Sequence, residues 1–276
     1  MVQALRASDL FVDPNTRRMT SPRDPRSEPL ALDELPQSRA AGIRVVATDV
    51  DGTLTRKGKL EAETLAAFAR LTAAGITVIP ISGRPAGEVL GLCRYLPGVR
   101  FGVAENGLLE IVPDQAPRWL GEPTDRARLE RVGEHLNRNH DARLERTGDA
   151  FCRIGDLAFE RDGRDEAELV RLRALAEAEG VHLIWSNVHI HLAERQPDKG
   201  AGLLRLLGER GLDPATVATV GDAPNDAGLF VPERFGISVG TADVLAQREW
   251  FASLPDYVTS ARELDGFLEL AARLGA

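Results

Sequence analysis

The segment "VVATDVDGTLT" at residues 45–55 constrains the fold of this chain more than any other part of the sequence. Its first residues are apolar and mostly β-branched, which favours a buried strand. Asp49 and Asp51 follow at the end of that strand, and Gly52 and Thr53 come directly after them. Carboxylates are unfavourable within a buried strand, because an unpaired buried charge is costly. We therefore expect the two aspartates to serve a site at the strand's end.

Short strand-like runs alternate with amphipathic helical patterns from residue 43 onward. The helical segment "KLEAETLAAFARLTAAG" separates "IRVVAT" from "ITVIPIS", and the alternation returns in "KGAGLLRLLGERG", "TVATVGD" and "FGISVG". This order predicts an α/β fold with a Rossmann-like parallel sheet that is covered by helices on both faces. The runs "VRFGVAE" and "LLEIVP" flank Asn106 and Gly107 and predict a hairpin.

Differences in composition along the chain predict its domain organisation. Residues 1–42 are rich in Pro, Arg, Ser and Asp, which predicts a flexible N-terminal extension. Residues 43–112 and 195–276 carry the strand–helix alternation and are predicted to form the catalytic core. Residues 113–194 mix charged helical patterns with strand-like runs such as "VHLIWSNVHIHLAE". This segment is predicted to be an α+β cap inserted into the core.

Composition and charge narrow the classes of function. The net charge of −8 argues against a nucleic-acid-binding surface, because a phosphate backbone would repel it. The sequence has no apolar run long enough to span a membrane and no signal-peptide pattern at its start. Cys93 and Cys152 are the only cysteines and are far apart in the sequence, which is typical of a reducing compartment. We therefore expect a cytoplasmic protein, and no feature indicates its oligomeric state.

Asp49 and Asp51 are expected to face one reacting centre, because residues i and i+2 of an extended chain share a side. Ligands of open parallel sheets bind at the carboxyl ends of the strands, where these residues lie. Neighbouring carboxylates usually differ in role: one is held ionised by a cation and the other can donate a proton. This division suits phosphoryl transfer with an aspartate nucleophile, an aspartate proton donor and Mg²⁺. Gly52 permits a sharp turn, and Thr53 offers a hydroxyl and an amide to an anion.

Two simpler interpretations of "DVDGT" have to be weighed. A calcium-binding loop would need glycine at its sixth position and glutamate at its twelfth, but Leu54 and Leu60 stand there, so this interpretation is excluded. The aspartates can also simply cap a turn. These residues alone leave that alternative open.

Polar residues follow further predicted strands or open a helix. Ser82 and Gly83 in "ISGRP" offer a hydroxyl and an exposed amide to phosphate oxygens, or form only a turn before a helix. Lys199 opens a helix in a chain whose other lysines are Lys57 and Lys59. Because the chain otherwise uses arginine for positive charge, Lys199 indicates a cation that reaches an anionic site. An ordinary solvated lysine is the alternative.

A third acidic cluster, "GDAPND", follows the strand "TVATV". Asp222 is placed to be a metal ligand, and Asp226 lies one turn further, where it can hold a metal-bound water or Lys199. The alternative is that these residues only cap the short helix that follows.

Together, "DVDGT", "ISGRP", "DKG" and "GDAPND" resemble the four motifs of the haloacid dehalogenase-like hydrolase superfamily, in the same order. The resemblance implies a Mg²⁺-dependent phosphatase that hydrolyses a small phosphorylated metabolite, a sugar phosphate or a phosphorylated acid, through an aspartyl-phosphate. It implies Asp49 as nucleophile and Asp51 as general acid and base. The implied phosphate-binding residues are Thr53, Ser82, Gly83, Lys199 and Asn225. The implied metal ligands are Asp49, Asp51 through its backbone carbonyl, and Asp222, with Asp226 as a ligand or a support.

The long insert and "AENG" at 104–107 resemble the Cof-type (subfamily IIB) phosphatases, whose neighbourhood includes mannosyl-3-phosphoglycerate, sucrose-phosphate and phosphoglycolate phosphatases. A cap that closes over the core excludes water and contacts the leaving group. Candidate substrate contacts are therefore Arg84, Glu105, Asn106, His189 and His191. The two histidines can also line a half-exposed sheet or hold a second metal. Arg153 and Arg195 are either anchors for a second anionic group or ordinary surface residues.

Two other functions stay open at the level of the sequence. A phosphomannomutase-like phosphotransferase resembles the chain in "DVDGTLT" and in its large cap. A non-catalytic module that binds a phosphorylated metabolite would keep the fold, but it would not need a nucleophile and an acid together. A dehalogenase is disfavoured, because it does not need the proton donor that Asp51 supplies.

Overall fold

The computed structural model of the protein describes residues 28–186 and 188–275. Its centre is a six-stranded sheet in which every neighbouring pair is parallel. The strands of this sheet are β1 (Leu30–Ala31), β2 (Val45–Thr48), β3 (Thr77–Pro80), β10 (Val217–Gly221), β11 (Ile237–Gly240) and β12 (Tyr257–Val258). Their spatial order is β1-β12-β11-β10-β2-β3. The predicted α/β fold with a parallel, Rossmann-like sheet is confirmed.

Helices cover both faces of the sheet. The core helices are α1 (Gln37–Ala40), α2 (Ala62–Ala73), α3 (Ala86–Tyr95), α6 (Lys199–Glu209) and α7 (Glu263–Arg273). On one face, α2, α3 and α7 pack against Val46. On the other, α6 packs against Val45 and Ala47. Successive residues of β2 therefore alternate between two buried cores, which is why this strand reads as a continuous apolar run.

A small antiparallel sheet extends the core next to β3. It contains β4 (Gly102–Ala104), β5 (Leu109–Ile111) and β6 (Arg118–Trp119), in that order. The turn between β4 and β5 is the 3₁₀ segment Glu105–Gly107, so the hairpin predicted around Asn106 and Gly107 is present. Glu105 and Asn106 both adopt positive φ, at 53° and 56°.

The cap is a three-stranded antiparallel sheet with two helices. Its strands are β7 (Leu157–Glu160), β8 (His182–Trp185) and β9 (His189–Ala193), in the order β7-β9-β8, and its helices are α4 (Arg126–His140) and α5 (Glu166–Ala178). Ile190 and Leu192 of β9 point into an apolar core that the cap forms for itself. His189 and His191 therefore lie on the opposite side of the strand.

The structure corrects two of the predicted domain boundaries: the end of the N-terminal extension and the start of the cap. Residues 28–42 were assigned to the flexible extension, but β1 pairs with β12, and Leu32, Leu35 and Ala40 are buried in the core. The prediction was wrong for these residues, because three buried apolar side chains outweigh a Pro- and Arg-rich composition. The rest of the predicted extension, residues 1–27, lies outside the described residues. Residues 113–120 were assigned to the cap, but β6 pairs with β5 of the core.

No helix in the described ranges combines the length and the apolar character that crossing a bilayer requires.

Candidate active site

Two neighbouring strands bring the predicted aspartates together. β2 and β10 pair in parallel, with Thr48 opposite Val220, so both strands end at the same edge of the sheet. The N–H of Asp49 donates to the carbonyl of Val220 at 2.9 Å, which continues the pairing one residue beyond the strand. Asp49 and Asp222 therefore follow directly on adjacent strands, as the rule for ligand sites in parallel sheets predicts.

Three buried carboxylates and one buried amine form the centre of this site. Oxygens of Asp49, Asp222 and Asp226 all lie within 4.8 Å of one another. Lys199 Nζ donates to Asp49 Oδ1 and to Asp226 Oδ1, at 2.5 Å each. The side chain of Lys199 is fully buried at the first residue of α6. Residues of three separate sequence motifs thus meet at one point.

Burial and mutual repulsion perturb the pKa values of these groups. Burial, followed by the negative charge of Asp226, raises the pKa of Asp49 to about 7. Burial and the charges of Asp49 and Asp226 also raise the pKa of Asp222 well above its usual range. Burial alone would lower the pKa of Lys199, but Asp226 and Asp49 outweigh it and hold the pKa above its ordinary value. One cation facing three carboxylates leaves an excess of negative charge, which a divalent cation would neutralise.

The residues around the carboxylates fit Mg²⁺. Carboxylate oxygens are the ligands that this ion prefers, and it keeps several waters besides one or two of them. Gly52 has a φ of +82°, and a Cβ there would lie 2.4 Å from Asp222 Oδ2. Glycine therefore lets the backbone after Asp51 approach the Asp222 carboxylate closely. The Thr53 hydroxyl donates to Asp222 Oδ1 at 2.8 Å and orients that carboxylate.

Asp226 has a second structural role besides its contact with Lys199. Its Oδ2 accepts the backbone N–H groups of Asp222, at 2.9 Å, and of Ala223, at 3.1 Å. This carboxylate therefore fixes the turn after β10, and its other oxygen accepts the hydrogen bond from Lys199. Its two oxygens both serve contacts within the protein, which suits the supporting role rather than that of a direct ligand.

Asp51 does not join the carboxylate cluster. Its two oxygens accept a forked pair of bonds from Arg84, with Nε and Nη2 each at 2.6 Å, and Arg84 Nη1 donates to Glu88 at 2.7 Å. Both carboxylates raise the pKa of the Arg84 guanidinium. Arg84, predicted as a substrate contact, is thus engaged with Asp51 in this conformation. The bond between them ties the loop after β3 to the loop after β2.

The loop after β3 also places Ser82 and Gly83 at the site's edge. Ser82 is buried, and its N–H donates to the carbonyl of Val103. The N–H of Asn106 donates to the carbonyl of Ser82 at 3.0 Å. A Cβ on Gly83 would lie 3.1 Å from the amide of Asn106 and 3.3 Å from Cε1 of His191. Gly83 therefore lies between a core side chain and a cap side chain.

Glu105 lies at the junction of core and cap and does not point an oxygen toward the acidic cluster. Its carboxylate accepts four backbone N–H groups: those of Ile154 (2.9 Å), Gly155 (2.6 Å) and Asp156 (2.9 Å) in the cap, and that of Ala86 (3.3 Å) in the core. Burial, followed by the charge of Asp156, raises the pKa of Glu105 to about 7, although the N–H donors oppose this. The structure gives this predicted substrate contact the role of anchoring the cap.

A buried charge network links the cap to the loop at Gly83. Arg153 Nη1 donates to the carbonyl of Gly83 at 2.9 Å and to Asp156 Oδ1 at 3.0 Å. Asp156 Oδ2 lies 2.8 Å from Nδ1 of His191. Burial alone would raise the pKa of Asp156, but Arg153 and His191 lower it. An ionised Asp156 therefore accepts the Nδ1 proton of His191 and orients its ring.

His189 lies beside His191, with ring centroids 6.1 Å apart and nearly perpendicular planes. Burial, followed by the charge of His191, lowers the pKa of His189 to about 4, so it is neutral at physiological pH. No cluster of metal-ligating side chains in the described part of the chain includes either histidine. Arg195 donates to the carbonyl of Glu122 at 2.8 Å, where the chain passes between core and cap, and borders a cavity together with Asn106.

The sequence did not predict the role of Asp156 and gave Arg153 only as a possible anion anchor. Their partners come from the cap and from the loop at Gly83, so only the packing of cap on core reveals them. The one signal in the sequence was a spacing of three residues between an Arg and an Asp in a strand-like segment, which is too common to single them out.

The chain is similar in sequence to known proteins. The family model described as haloacid dehalogenase-like hydrolase matches residues 46–117. A phosphoglycolate phosphatase of Haloarcula marismortui is 32% identical over 241 residues, which cover 81% of this chain and 94% of that protein. A phosphoglycolate phosphatase of Methanothermobacter thermautotrophicus is 29% identical over 233 residues, which cover 84% of this chain and 98% of that protein.

Solved structures share the fold at lower sequence identity. A Thermoplasma acidophilum protein superposes with a TM-score of 0.70 at 20% identity, covering 84% of this chain and 98% of that one. The sucrose-phosphatase of Synechocystis sp. PCC6803, solved with sucrose and phosphate, gives a TM-score of 0.64 at 16% identity, covering 84% and 97%. These similarities extend over core and cap alike.

Proposed function

The chain belongs to the haloacid dehalogenase-like hydrolase family and is a phosphatase, and we propose that it hydrolyses a small phosphorylated metabolite through an aspartyl-phosphate on Asp49, with Mg²⁺ as cofactor. The observation that carries this proposal is the position of Lys199. Its amine holds Asp49 and Asp226 together in a buried cluster with Asp222. Burying such a cluster is costly, and charged groups that are perturbed in this way are concentrated at functional sites.

Asp49 is the proposed nucleophile. One of its oxygens attacks the phosphorus of the substrate, so that an O–P bond to Asp49 forms while the bond from phosphorus to the leaving oxygen breaks. Lys199 stays beside Asp49 and offsets the charge on the transferred phosphoryl group. Water then attacks the phosphorus, releases inorganic phosphate and restores the Asp49 carboxylate. No oxidant or second substrate is required.

Asp51 is the proposed proton carrier for both half-reactions. It donates a proton to the leaving oxygen in the first step and takes one from the attacking water in the second, so that it returns to its starting state. In the conformation described, Arg84 occupies both Asp51 oxygens. The proton-donating step therefore requires Asp51 to leave one of these bonds. Arg84 is thus a positioning residue that sets which way Asp51 faces.

Mg²⁺ would be held by Asp49, Asp222 and the backbone carbonyl of Asp51, with Asp226 in support, and it supplies positive charge next to the phosphate oxygens. Thr53, Ser82 and Gly83 lie on the two loops that flank this position and are proposed to bind the phosphoryl oxygens. Lys199 and Asn225 complete the proposed phosphate-binding set.

A small cavity lies at the acidic edge of the proposed site. A cavity of about 150 Å³ lies beside Asp51, Gly52 and Asp222 and is bordered on the cap side by Val188. The relatives named above act, by their names, on phosphoglycolate and on sucrose phosphate. We propose a phosphorylated acid or sugar for this chain as well.

Phosphate release from a panel of phosphorylated metabolites tests the proposal. The panel includes 2-phosphoglycolate, 3-phosphoglycerate, hexose phosphates and sucrose phosphate, each with Mg²⁺ and with EDTA. We expect hydrolysis that depends on Mg²⁺, with preference for one compound, and loss of hydrolysis in Asp49→Asn. Glu134→Gln, which also replaces a carboxylate by its amide, is the surface control, because Glu134 is exposed on α4.

Two outcomes would overturn the proposal. Hydrolysis that Asp49→Asn leaves unchanged would exclude the nucleophile assigned here. Isomerisation of a hexose 1-phosphate without release of phosphate would indicate a phosphotransferase in place of a hydrolase.

A further inference from the structure

A side chain of the core, Trp250, packs into the apolar core of the cap. It is the last residue of the 3₁₀ segment Ala242–Trp250, which follows β11. Its ring packs against the cluster of apolar residues that the cap forms for itself. It meets Trp185 of β8 nearly edge to face, with ring centroids 5.6 Å apart and planes at 71°, and its Nε1 donates to Glu166 Oε1 at 3.0 Å. Side chains therefore join the core to the cap at this point.

The core holds Trp250 through its neighbours in the chain. Val244, near the start of the segment, is fully buried in the core, and Phe251, directly after Trp250, is also buried there. Phe251 packs against Phe230, with ring centroids 5.7 Å apart. Because the chain is anchored in the core before and after Trp250, the indole keeps its place when the cap moves.

On the cap side, Trp185 is linked to a residue that borders the proposed site. Trp185 is buried and is the last residue of β8. The hydroxyl of Ser186, the next residue, accepts the N–H of Val188 at 3.2 Å. Val188 borders the cavity beside Asp51. The position of Trp185 therefore sets the distance between Val188 and Asp51.

Trp250 and Glu105 hold the cap on opposite flanks of the acidic cluster. The strand order β11-β10-β2-β3 places the ends of β10 and β2, which carry Asp222 and Asp49, between the ends of β11 and β3. Glu105 attaches the cap next to the loop after β3, whereas Trp250 attaches it through the segment after β11. A cap that is attached on one flank only can tilt, so the second attachment fixes its height over the cluster.

The attachment at Trp250 is the weaker of the two. It consists of one aromatic pair and one hydrogen bond at an exposed position, and each contributes modestly. Glu105 instead accepts three N–H groups of the cap and is fully buried. Opening of the cap for substrate entry and product release is therefore expected to break the contact at Trp250 first.

We propose that Trp250 is a positioning residue that holds Val188 close to Asp51 and thereby limits the size of the leaving group that the site accepts. This inference rests on the proposed phosphatase function, in which Asp51 protonates the leaving oxygen, so that the leaving group lies beside Asp51. With the contact at Trp250 in place, the cap admits a compact leaving group. Without it, the cap tilts away and a bulkier group fits.

Hydrolysis of ethyl phosphate and benzyl phosphate tests this role, because the two leaving alcohols differ in bulk but little in acidity. We expect the wild-type protein with Mg²⁺ to prefer ethyl phosphate, and Trp250→Ala to lower the ethyl-to-benzyl ratio of kcat/KM by at least about tenfold. Trp250→Phe keeps a ring against Trp185 and loses only the hydrogen bond, so its ratio should stay within about threefold of the wild-type value. Tyr95→Ala is the control, because this ring is 82% exposed on α3, and it should leave the ratio unchanged.

Two measurements without turnover separate this inference from the phosphatase function. The Trp185–Trp250 pair should give an exciton couplet in the far-ultraviolet circular dichroism of the protein, and Trp250→Phe should remove it. Calorimetric titration in the Asp49→Asn background should show that Trp250→Ala removes the preference for ethyl phosphate in binding. If no ester is hydrolysed but this change in binding is found, the hydrolytic function fails and the positioning role stands.

Three results would overturn the inference. The first is an ethyl-to-benzyl ratio that Trp250→Ala leaves unchanged, even if both rates fall, because a side chain that only stabilises the fold lowers the two rates together. The second is an equal change of the ratio in Tyr95→Ala. The third is a wild-type spectrum without the couplet, since the cap and Trp250 are then not in contact in solution.

Discussion

The carboxylate of Glu105 in the core accepts a 2.6 Å hydrogen bond from the backbone N–H of Gly155 in the cap. The same carboxylate accepts the N–H groups of Ile154 and Asp156, so three successive cap residues are held by one core side chain. Since Asp156 orients His191, Glu105 also determines where the cap presents that ring over the site. Cap position and site geometry are therefore coupled through this buried acid, in addition to the hydrogen bond from Arg153 to the carbonyl of Gly83.

Glu105→Gln should weaken this anchor. The substitution replaces an oxygen that accepts N–H groups with an NH₂ that cannot, and it leaves buried donors unpaired. We expect a loss of about 1–3 kcal/mol in the free energy of unfolding, measured by urea denaturation. The control Glu134→Gln, an exposed residue on α4, should change stability by no more than about 0.5 kcal/mol. Equal stability of the two variants would contradict the anchoring role.

Gly52 and Gly58 form a matched pair for testing the metal site. Both have positive φ, but a Cβ on Gly52 would lie 2.4 Å from Asp222 Oδ2, whereas a Cβ on Gly58 meets nothing within 4 Å. We expect Gly58→Ala to cost about 1–2 kcal/mol of backbone strain and to retain activity. Gly52→Ala should carry the same strain and also displace Asp222, which lowers activity and the affinity for Mg²⁺. Comparable Mg²⁺ affinity in the two variants, measured by calorimetry, would contradict the role of Gly52.

Lys199→Met should destabilise the protein strongly. Removing the amine leaves Asp49 and Asp226 without the cation that both contact. Breaking a buried ion pair in this way costs about 3–5 kcal/mol. The matched control is Lys59→Met, because Lys59 is exposed. Denaturant unfolding of both variants checks the prediction. Similar unfolding midpoints for the two variants would show that Lys199 does not stabilise the protein in this way.

The pH dependence of stability should show the burial of His189. Its pKa is lowered from 6.5 to about 4 by burial and by His191. Because the unfolded chain takes up a proton at a higher pH than the folded one, this group's contribution to stability is present above pH 6.5 and is lost as the pH falls toward 4. After discounting for its partial exposure, we expect a loss of about 1 kcal/mol between pH 7 and pH 5. Unfolding curves at both pH values should show a smaller loss in His189→Gln, and an identical loss would contradict the assignment.

The positions of the acidic residues at the strand ends could be predicted from the sequence, because they depend on local patterns. Asp49 follows an apolar run and Asp222 follows another, and parallel strands bring such ends to one edge. The burial of Leu32 and Leu35 was missed, although their three-residue spacing was visible, because the surrounding prolines and arginines suggested an extension. The anchoring role of Glu105 and the charge network of Arg153 and Asp156 depend on contacts between core and cap. No local pattern encodes contacts of that kind.

The most direct test of the account is to trap the phosphorylated protein. A substrate of the panel that carries labelled phosphate is mixed with the protein and Mg²⁺, the reaction is quenched in acid within one turnover, and the labelled peptide is identified by mass spectrometry. We predict label on Asp49 in the wild-type protein and none in Asp49→Asn. Label on another residue, or rapid turnover in which no covalent phosphate is ever trapped, would contradict the assignment of Asp49 as the nucleophile.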